Sequence, residues 1–429
     1  MRRPEARGGA MKRRSVAVVG GGVAGLTAAY VLQRACDVTL YEADARLGGH
    51  AHTHETTTAG GRLLRVDSGF IVHNERTYPM LLRLFAELGV TTQDAEMSMS
   101  VRCEGCGLEY AGARGLAGLF TGRAALRGRY LRMLAEVPVF HRAARRLLAG
   151  RGESTYTLGR FLHEGGYSPY FNAHFVTPLV SAVWSCPPET ALRYPARYLF
   201  RFLDHHGLLT VTGSPRWKTV TGGSKEYVDR VAKEISTVRV ATPVRGVQRF
   251  ADRARVVTDD GDAQEHDAVV IGVHPGQALR ILTDPTDDER RVLGAFEYSR
   301  NPTVLHSDTA LLPRSARARA SWNYFMPSCG AASDAVHVSY DMTRLQRLGT
   351  ADDFVVTLNA DGRVDPGKVL ARTVYEHPVY TPASVAGQRH LPRLNTGVTA
   401  YAGAYHGWGF HEDGCRSGVE AAAALGVRW

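Results

Sequence analysis

The sequence is short of the features that mark secreted, metal-built or membrane-spanning proteins. Its six cysteines, at 36, 103, 106, 186, 329 and 415, follow no framework spacing. That excludes a disulfide-stapled secreted domain and favours reduced thiols in a cytoplasmic protein. Only one CxxC occurs, Cys103 and Cys106 within VRCEGCGLEYAG, and no second pair stands where it would complete a zinc site. A hairpin turn with two incidental thiols is the expectation. There is no Gly-x-Ser-x-Gly nucleophile elbow, no internal repeat and no low-complexity tract; GAASDA (330–335) reads as a loop tip. The opening MRRPEARGGAMKRR lacks an apolar core and a small-residue cleavage site. It reads as a disordered leader rather than a secretory signal, with Met11 an alternative start. The one long apolar run, SVAVVGGGVAGLTAAYVL (15–32), is broken by glycines where a strand would turn into a helix. It reads as two short buried elements instead of a membrane span.

The 429 residues leave room for two domains. Hydrophobic content of 44% with 22% charged residues is that of a soluble globular enzyme. The net charge of +10 is uneven: from position 114 to 151 there are nine arginines, no lysine and one acid, Glu136. Within that stretch Leu116, Leu119, Phe120, Leu126, Leu131, Leu134, Val137 and Phe140 recur at helix-like intervals. A solvated helical face is one reading. A basic amphipathic surface lying peripherally on anionic lipid is the other. Nucleic acid is not expected as a partner, because no recognised binding module accompanies the charge.

Residues 16–19 form a β-branched run suited to a buried parallel strand. Gly20, Gly22 and Gly25 follow as Gly-x-Gly-x-x-Gly, then helix-forming residues, then a second strand over 38–41 ending at Glu42. Gly20 permits the tight turn, Gly22 admits a pyrophosphate to the backbone, and Gly25, with Ala29 one turn on, lets helix and strand pack closely. The helix N-terminus offers free N–H groups to phosphate. Glu42, 22 residues after Gly20, stands where a carboxylate accepts ribose hydroxyls. Strand, helix and acid together make this a dinucleotide-binding unit, although the motif does not separate NAD from FAD.

The next residues read Glu-Ala-Asp-Ala-Arg-Leu-Gly-Gly. This resembles the Arg-x-Gly-Gly extension of the flavin amine oxidase, protoporphyrinogen oxidase and phytoene desaturase superfamily. The resemblance implies FAD, with Arg46, Gly48 and Gly49 along its ribityl–pyrophosphate section. Members usually place an arginine after the glycines, where this chain has His50. VDSGFIVHN resembles the segment passing the flavin ring, which puts Gly69, Phe70 and Ile71 beside it. VRVATPVRGVQRF (238–250) resembles the strand whose backbone meets adenine, at Val244, and AVVIGVH (268–274) reads as another strand of the same sheet. YAGAYHGWGFHEDGCRSGVEAAAALG resembles the closing segment, in which a helix N-terminus carrying Asp413 and Gly414 faces the flavin, with Ser417 and Gly418 behind. VDSGFIVHNERTYP, GLEYAG, WKTVTGGSKEYV and GFHEDG are similar to strings in bacterial predicted FAD/NAD-binding proteins. Such proteins are often encoded beside cyclopropane-fatty-acid synthases, and some act in fatty-acid modification.

The expected fold is α/β: a Rossmann-like FAD-binding domain over 12–75, 213–275 and 395–429, interrupted by a discontinuous α+β substrate domain over 76–212 and 276–394. Residues 76–212 read as helical, and 300–375 as alternating strands of an antiparallel sheet. With flavin carrying the redox chemistry, the protein has to place a C–H bond and move a proton. His73 is the first candidate base, and His411 with Glu412 the second, each against the alternative of a hydrogen-bonded structural role. Trp184 and Trp322–Tyr324 are pocket candidates or core. His50, His52 and His54 alternate as on one strand face, but no metal is expected within a flavin-binding stretch. The leading functional expectation is hydride removal from an apolar, fatty-acyl type of small molecule. Amine oxidation, a redox-neutral double-bond isomerase and a non-catalytic flavoprotein in a membrane-associated complex remain open. Against an amine, only Lys218 and Lys225 lie near the region of a bridging lysine.

Overall fold

The computed structural model describes residues 13–150, 155–210, 213–329, 336–360 and 362–429. Residues 1–12 of the expected leader, the 330–335 loop tip and position 151 of the arginine-rich stretch lie outside them, while Arg14, the leader's last residue, begins a strand.

Two sheets organise the chain. The first is five-stranded and wholly parallel, in the order Thr237–Arg239, Cys36–Tyr41, Arg14–Val19, Ala268–Ile271, Thr399–Tyr401. Its central strand is paired on both edges and covered on both faces, which is why Val16 to Val19 are all apolar and buried. One face packs against helices Val23–Leu32, Pro79–Leu88, Lys225–Glu234 and His411–Ala424. The other packs against a three-stranded antiparallel sheet (Val244–Arg249, Ala254–Thr258, Ala263–His266) and helices Pro275–Ile281 and Asp287–Leu293.

The second sheet has seven strands: Val369–Val379, Glu297–His306, Val355–Leu358, Val338–Asp341, Trp322–Met326, Met99–Cys103 and Leu108–Ala111. All neighbours are antiparallel except Trp322–Met326 with Met99–Cys103. Helices from the 128–205 region share one core with it.

Several sequence expectations change here. Residues 238–250 are two strands, not one, because the chain breaks at Ala241 (φ +50°) and changes sheet. The strand expected over 268–274 ends at Ile271, and His274 instead precedes the helix Pro275–Ile281. The helical reading of 76–212 omitted the hairpin Met99–Cys103/Leu108–Ala111, whose turn does hold the CxxC. Helix Pro79–Leu88 and residues 276–296, assigned by sequence to the substrate part, bury Leu81, Leu84, Phe85, Val292 and Leu293 against the first sheet. In the arginine-rich stretch one long helix, Gly128–Ala149, turns Tyr130, Met133, Phe140, His141 and Ala144 inward. Of the eight periodic apolar positions only Phe140 is fully buried, while Leu116, Leu126 and Leu131 are exposed.

The first and last helices meet in direct backbone contact. A Cβ on Gly418 would lie 2.4 Å from the Ala24 carbonyl oxygen and 2.9 Å from Ala28 N. At Gly414 the obstacle is a side-chain methyl, Val23 Cγ1 at 2.6 Å. Backbone cannot yield and a methyl can rotate, so Gly418→Ala is expected to destabilise by about 1–3 kcal/mol, against much less for Gly414→Ala. Urea unfolding of both variants checks this; equal midpoints would show that the helices separate freely.

Candidate functional site

The site begins where the central strand ends. Gly20 takes φ +104°, and its N–H donates to the Tyr41 carbonyl at 2.8 Å. A Cβ on Gly25 would stand 1.9 Å from the Gly20 oxygen, so the first helix starts in contact with the strand. Gly22 precedes that helix, and nothing lies within 4 Å of where its Cβ would be. The helix N-terminus is thus closed behind and open in front. Glu42 stands beside this turn: its Oε2 accepts the Gly21 N–H at 2.6 Å and its Oε1 the Asp44 N–H at 2.9 Å. Two bonds leave about half of a carboxylate's acceptor capacity free.

A second glycine loop docks on the first. Gly22 and Gly48 form a parallel bridge, Gly48 N–H donates to the Gly21 oxygen at 2.8 Å, and Arg46 Nη2 donates to the Gly49 oxygen at 2.9 Å. The Thr242 N–H donates to the Glu42 carbonyl, which brings the strand that begins at Val244 to the same corner. Phe70 N–H donates to the His50 oxygen at 2.7 Å, and a Cβ on Gly69 would fall 2.2 Å from that oxygen. Ile71 is buried next to them. Asp67, which sequence reasoning passed over, anchors this segment. Its carboxylate accepts from Thr53 Oγ1, Ser224 N, Ser224 Oγ and Gln346 Nε2. Burial still raises its pKa to about 6.

The three proposed proton carriers find other surroundings. His73 has no exposed surface, packs among Phe70, Tyr78 and Phe85, and neither ring nitrogen has a partner. Burial lowers its pKa to about 4. A base must reach its substrate, and this ring is buried among aromatic side chains. His411 stacks on Phe70 at 3.7 Å and its Nε2 meets the Tyr227 hydroxyl at 3.1 Å, with burial lowering its pKa to about 3. Glu412 accepts the N–H groups of Met80 and Leu81, both at 3.0 Å, and so caps helix Pro79–Leu88; burial raises it to about 7. Asp413 accepts the Phe410 N–H and pairs with Arg416 at 3.1 Å, which closes the first turn of the last helix, and Gly414 packs on Val23.

A wall of rings that the sequence did not single out stands beside these loops. His50 lies 4.9 Å from Tyr375 and 5.4 Å from His377, His274 stacks on Tyr298 at 4.1 Å, and Tyr198 lies 5.1 Å from Tyr380 and 6.1 Å from Trp408. His50, His274, His377, Tyr198 and Tyr298 keep part of their surface free. Desolvation nevertheless pushes the histidines down, His377 to about 4, and both tyrosines well above the phenol range. The alternation that would have revealed Tyr375 and His377 lies in strand Val369–Val379. Trp184 and Tyr324 are core residues, and Trp184 Nε1 donates to the Trp408 oxygen. The His52 and His54 rings lie 4.0 Å apart, but their nitrogens are engaged separately: His52 Nδ1 meets the Tyr375 hydroxyl and His54 Nε2 the Ser68 hydroxyl.

Residues 23–306 match the family model for flavin containing amine oxidoreductase. The chain belongs to that family. It is 26% identical over 282 residues to (S)-6-hydroxynicotine oxidase of Paenarthrobacter nicotinovorans, covering 64% of this chain and 63% of that protein. It is 27% identical over 302 residues to coproporphyrinogen III oxidase of Mycobacterium leprae, covering 63% and 62%. The match thus spans less than two thirds of either curated relative. Among solved structures, cyclohexylamine oxidase from Brevibacterium oxydans IH-35A superposes with a TM-score of 0.69 at 16% identity, over 96% of this chain and 98% of that one. The CLA-producing fatty acid isomerase from P. acnes gives 0.67 at 17%, over the same shares. As a member of this family the protein takes FAD, and the residues present fit it. The first helix N-terminus is open, Glu42 keeps free acceptor sites, and His50 Nε2, His406 Nε2 and Trp408 Nε1 are buried without a partner.

The buried histidines set a pH dependence. His73, His206 and His377 are held to about 4, and His406 and His411 to about 3. The unfolded chain binds protons near pH 6.5 that these native rings refuse, so stability falls as pH drops from 6.5 toward 4, by up to ~1.4 kcal/mol per pH unit for each ring. Asp67 and Glu412, both raised, act in the opposite sense but are fewer. Unfolding free energy is expected to be lower at pH 5 than at pH 7. Denaturant titrations at the two pH values check it, and equal or greater stability at pH 5 would contradict neutral burial of these rings.

Proposed function

We propose that the protein is an FAD-dependent oxidoreductase that removes hydride from an apolar, fatty-acyl type of substrate. Gly20, Gly22 and Gly25 would receive the pyrophosphate, Glu42 the ribose, Arg46, Gly48 and Gly49 the ribityl section, and Val244 the adenine. Gly69, Phe70, Ile71, Asp413 and Gly414 would flank the ring system. FAD supplies the hydride-accepting chemistry when bound. The chain's own part is to exclude water and hold the substrate against neutral rings.

The observation that carries the substrate reading is the wall itself: Tyr198, Tyr298, Trp408 and Phe410 with histidines held neutral by burial. Ring faces of this kind suit a hydrocarbon chain, and the carboxylate beside them, Glu376, is engaged by His274 Nδ1 at 3.1 Å. The two lysines considered for amine chemistry are engaged elsewhere, Lys218 with Glu75 at 2.8 Å and Lys225 with Asp229 at 2.6 Å. The fold itself does not choose, since it is shared by solved proteins whose names specify amines and a fatty acid.

Delivery of such a substrate is supported by the arginine-rich stretch. Among the described residues no helix is long and apolar enough to cross a membrane. Yet Leu116 is 76% exposed, Leu126 67% and Val139 50%, interleaved with exposed Arg123, Arg127, Arg142, Arg145 and Arg146. Exposed leucines among arginines suit the surface of an anionic bilayer, where each basic residue contributes about 1 kcal/mol.

Glu42→Ala is expected to lower FAD affinity at least tenfold, since charge-assisted hydrogen bonds are worth about 1.5–3 kcal/mol each. Flavin content of the variant measured at limiting FAD tests it, and unchanged occupancy would remove Glu42 from the ribose site. The substrate reading is tested by anaerobic mixing with a fatty-acyl lipid in anionic or neutral vesicles, and separately with soluble amines. Bleaching of the flavin band by the lipid, faster from anionic vesicles and slowed by salt, is expected. Bleaching by amines alone would overturn the acyl assignment; equal rates from both vesicle types would overturn the membrane route.

A further inference from the structure

The CxxC lies beside a histidine and a third cysteine that come from distant parts of the chain. Cys103 ends strand Met99–Cys103 and Cys106 lies in the turn that follows. His174 sits in the π-helical turn Asn172–Val176, and Cys329 lies just past strand Trp322–Met326. The three sulfurs and the histidine nitrogen all lie within 4.8 Å of one another. Cys103 Sγ is 3.7 Å from Cys329 Sγ, and Cys106 Sγ is 3.6 Å from His174 Nε2. Around zinc, with Zn–S of about 2.3 Å and Zn–N of about 2.0–2.1 Å, tetrahedral edges come to about 3.8 Å between sulfurs and about 3.6 Å from sulfur to nitrogen. We propose that Cys103, Cys106, His174 and Cys329 bind one zinc(II) ion in a closed, four-ligand structural site.

The surroundings are arranged for metal rather than for packing alone. His174 Nδ1 lies 3.1 Å from the Tyr170 carbonyl, so that nitrogen carries the proton and Nε2 presents its lone pair to the cysteines. The Tyr170 hydroxyl lies 3.5 Å from the Cys106 sulfur. Gly107, at φ +70°, makes the turn that aims Cys106 inward. Gly105 keeps the third sulfur within reach: a Cβ there would come 2.8 Å from Cys329 N and 3.0 Å from Ser328 Cα, and would push that segment away. A zinc with three thiolates carries a net charge of −1, and the Arg129 guanidinium, 4.9 Å from the Tyr170 ring, is placed to offset it.

Binding is a ligand exchange without redox change. Zinc(II) replaces three thiol protons, which go to solvent, and takes the neutral imidazole as its fourth ligand. Four protein ligands leave no open position, so the ion would have a structural role: it ties the helical layer to the hairpin and to the neighbouring strand Trp322–Met326. The linked positions are separated by 68 and 226 residues in sequence, so one ion closes two long loops. Nothing in this inference depends on the substrate assignment.

Metal analysis of the reduced, flavin-loaded protein after gel filtration should find about one zinc per chain. Cobalt(II) exchanged into that site should give the intense d–d bands of a tetrahedral thiolate complex, at wavelengths beyond the flavin absorption. Cys329→Ser, the least buried of the ligands, should bind zinc at least tenfold more weakly in chelator competition, with flavin content reporting that it folds. Reduced wild-type protein that takes up neither zinc nor cobalt would overturn the proposal. So would a cobalt spectrum that is the same in wild type and Cys329→Ser.

Discussion

Backbone-to-backbone contact at the first helix is the constraint on which the nucleotide corner depends. Gly25 touches the Gly20 carbonyl, and Gly418 of the last helix touches Ala24 and Ala28. Strand, first helix and last helix therefore meet without side chains between them. Because the last helix closes a chain that has crossed two sheets, this contact also brings Phe410, His411 and Asp413 back to the start of the sequence. The loop at Gly48 docks on the same corner through its bridge to Gly22. A single added methyl at the tightest of these positions would move several elements at once.

Buried carboxylates hold the remaining pieces in register. Asp67 joins the segment 67–71 to Thr53, Ser224 and Gln346 through four hydrogen bonds, and Glu412 joins the last helix to the start of helix Pro79–Leu88. Neither carboxylate lies against a cation, so each relies on hydrogen bonds to meet the cost of its burial. Both pKa values are raised in consequence. Glu412, a candidate proton carrier in sequence, thus holds two helices together, while rings from strands Glu297–His306 and Val369–Val379 and from the turn before the last helix stand side by side.

Much of this protein was legible in its sequence where the signal is local. The strand–glycine–helix–acid unit could be read residue by residue, because a tight turn, an open helix N-terminus and a carboxylate 22 residues on are short-range demands of one βαβ unit. The hairpin around Cys103 and Cys106, the helix beginning near Pro79 and the alternating strands of the second sheet were legible for the same reason, since periodicity reports which face of an element is buried. The break at Ala241 was not legible, because a residue forced to positive φ by the sheet change on either side leaves no compositional mark.

What only the tertiary structure decided was which distant residues share a space. A histidine such as His73 has the chemistry of a base in sequence, and nothing local says that Phe85 and Tyr78 will close over it. The ring wall draws on positions 50, 198, 274, 298, 377 and 408, which no single periodicity connects. The cysteine cluster is the sharpest case: by spacing Cys103 and Cys106 read as incidental thiols, and the pairing of strand Trp322–Met326 beside Met99–Cys103 brings Cys329 to them. Sequence determines the elements and the short motifs, because those depend on neighbours along the chain. Sites built across sheets are set by strand order and helix packing, which are properties of the whole fold.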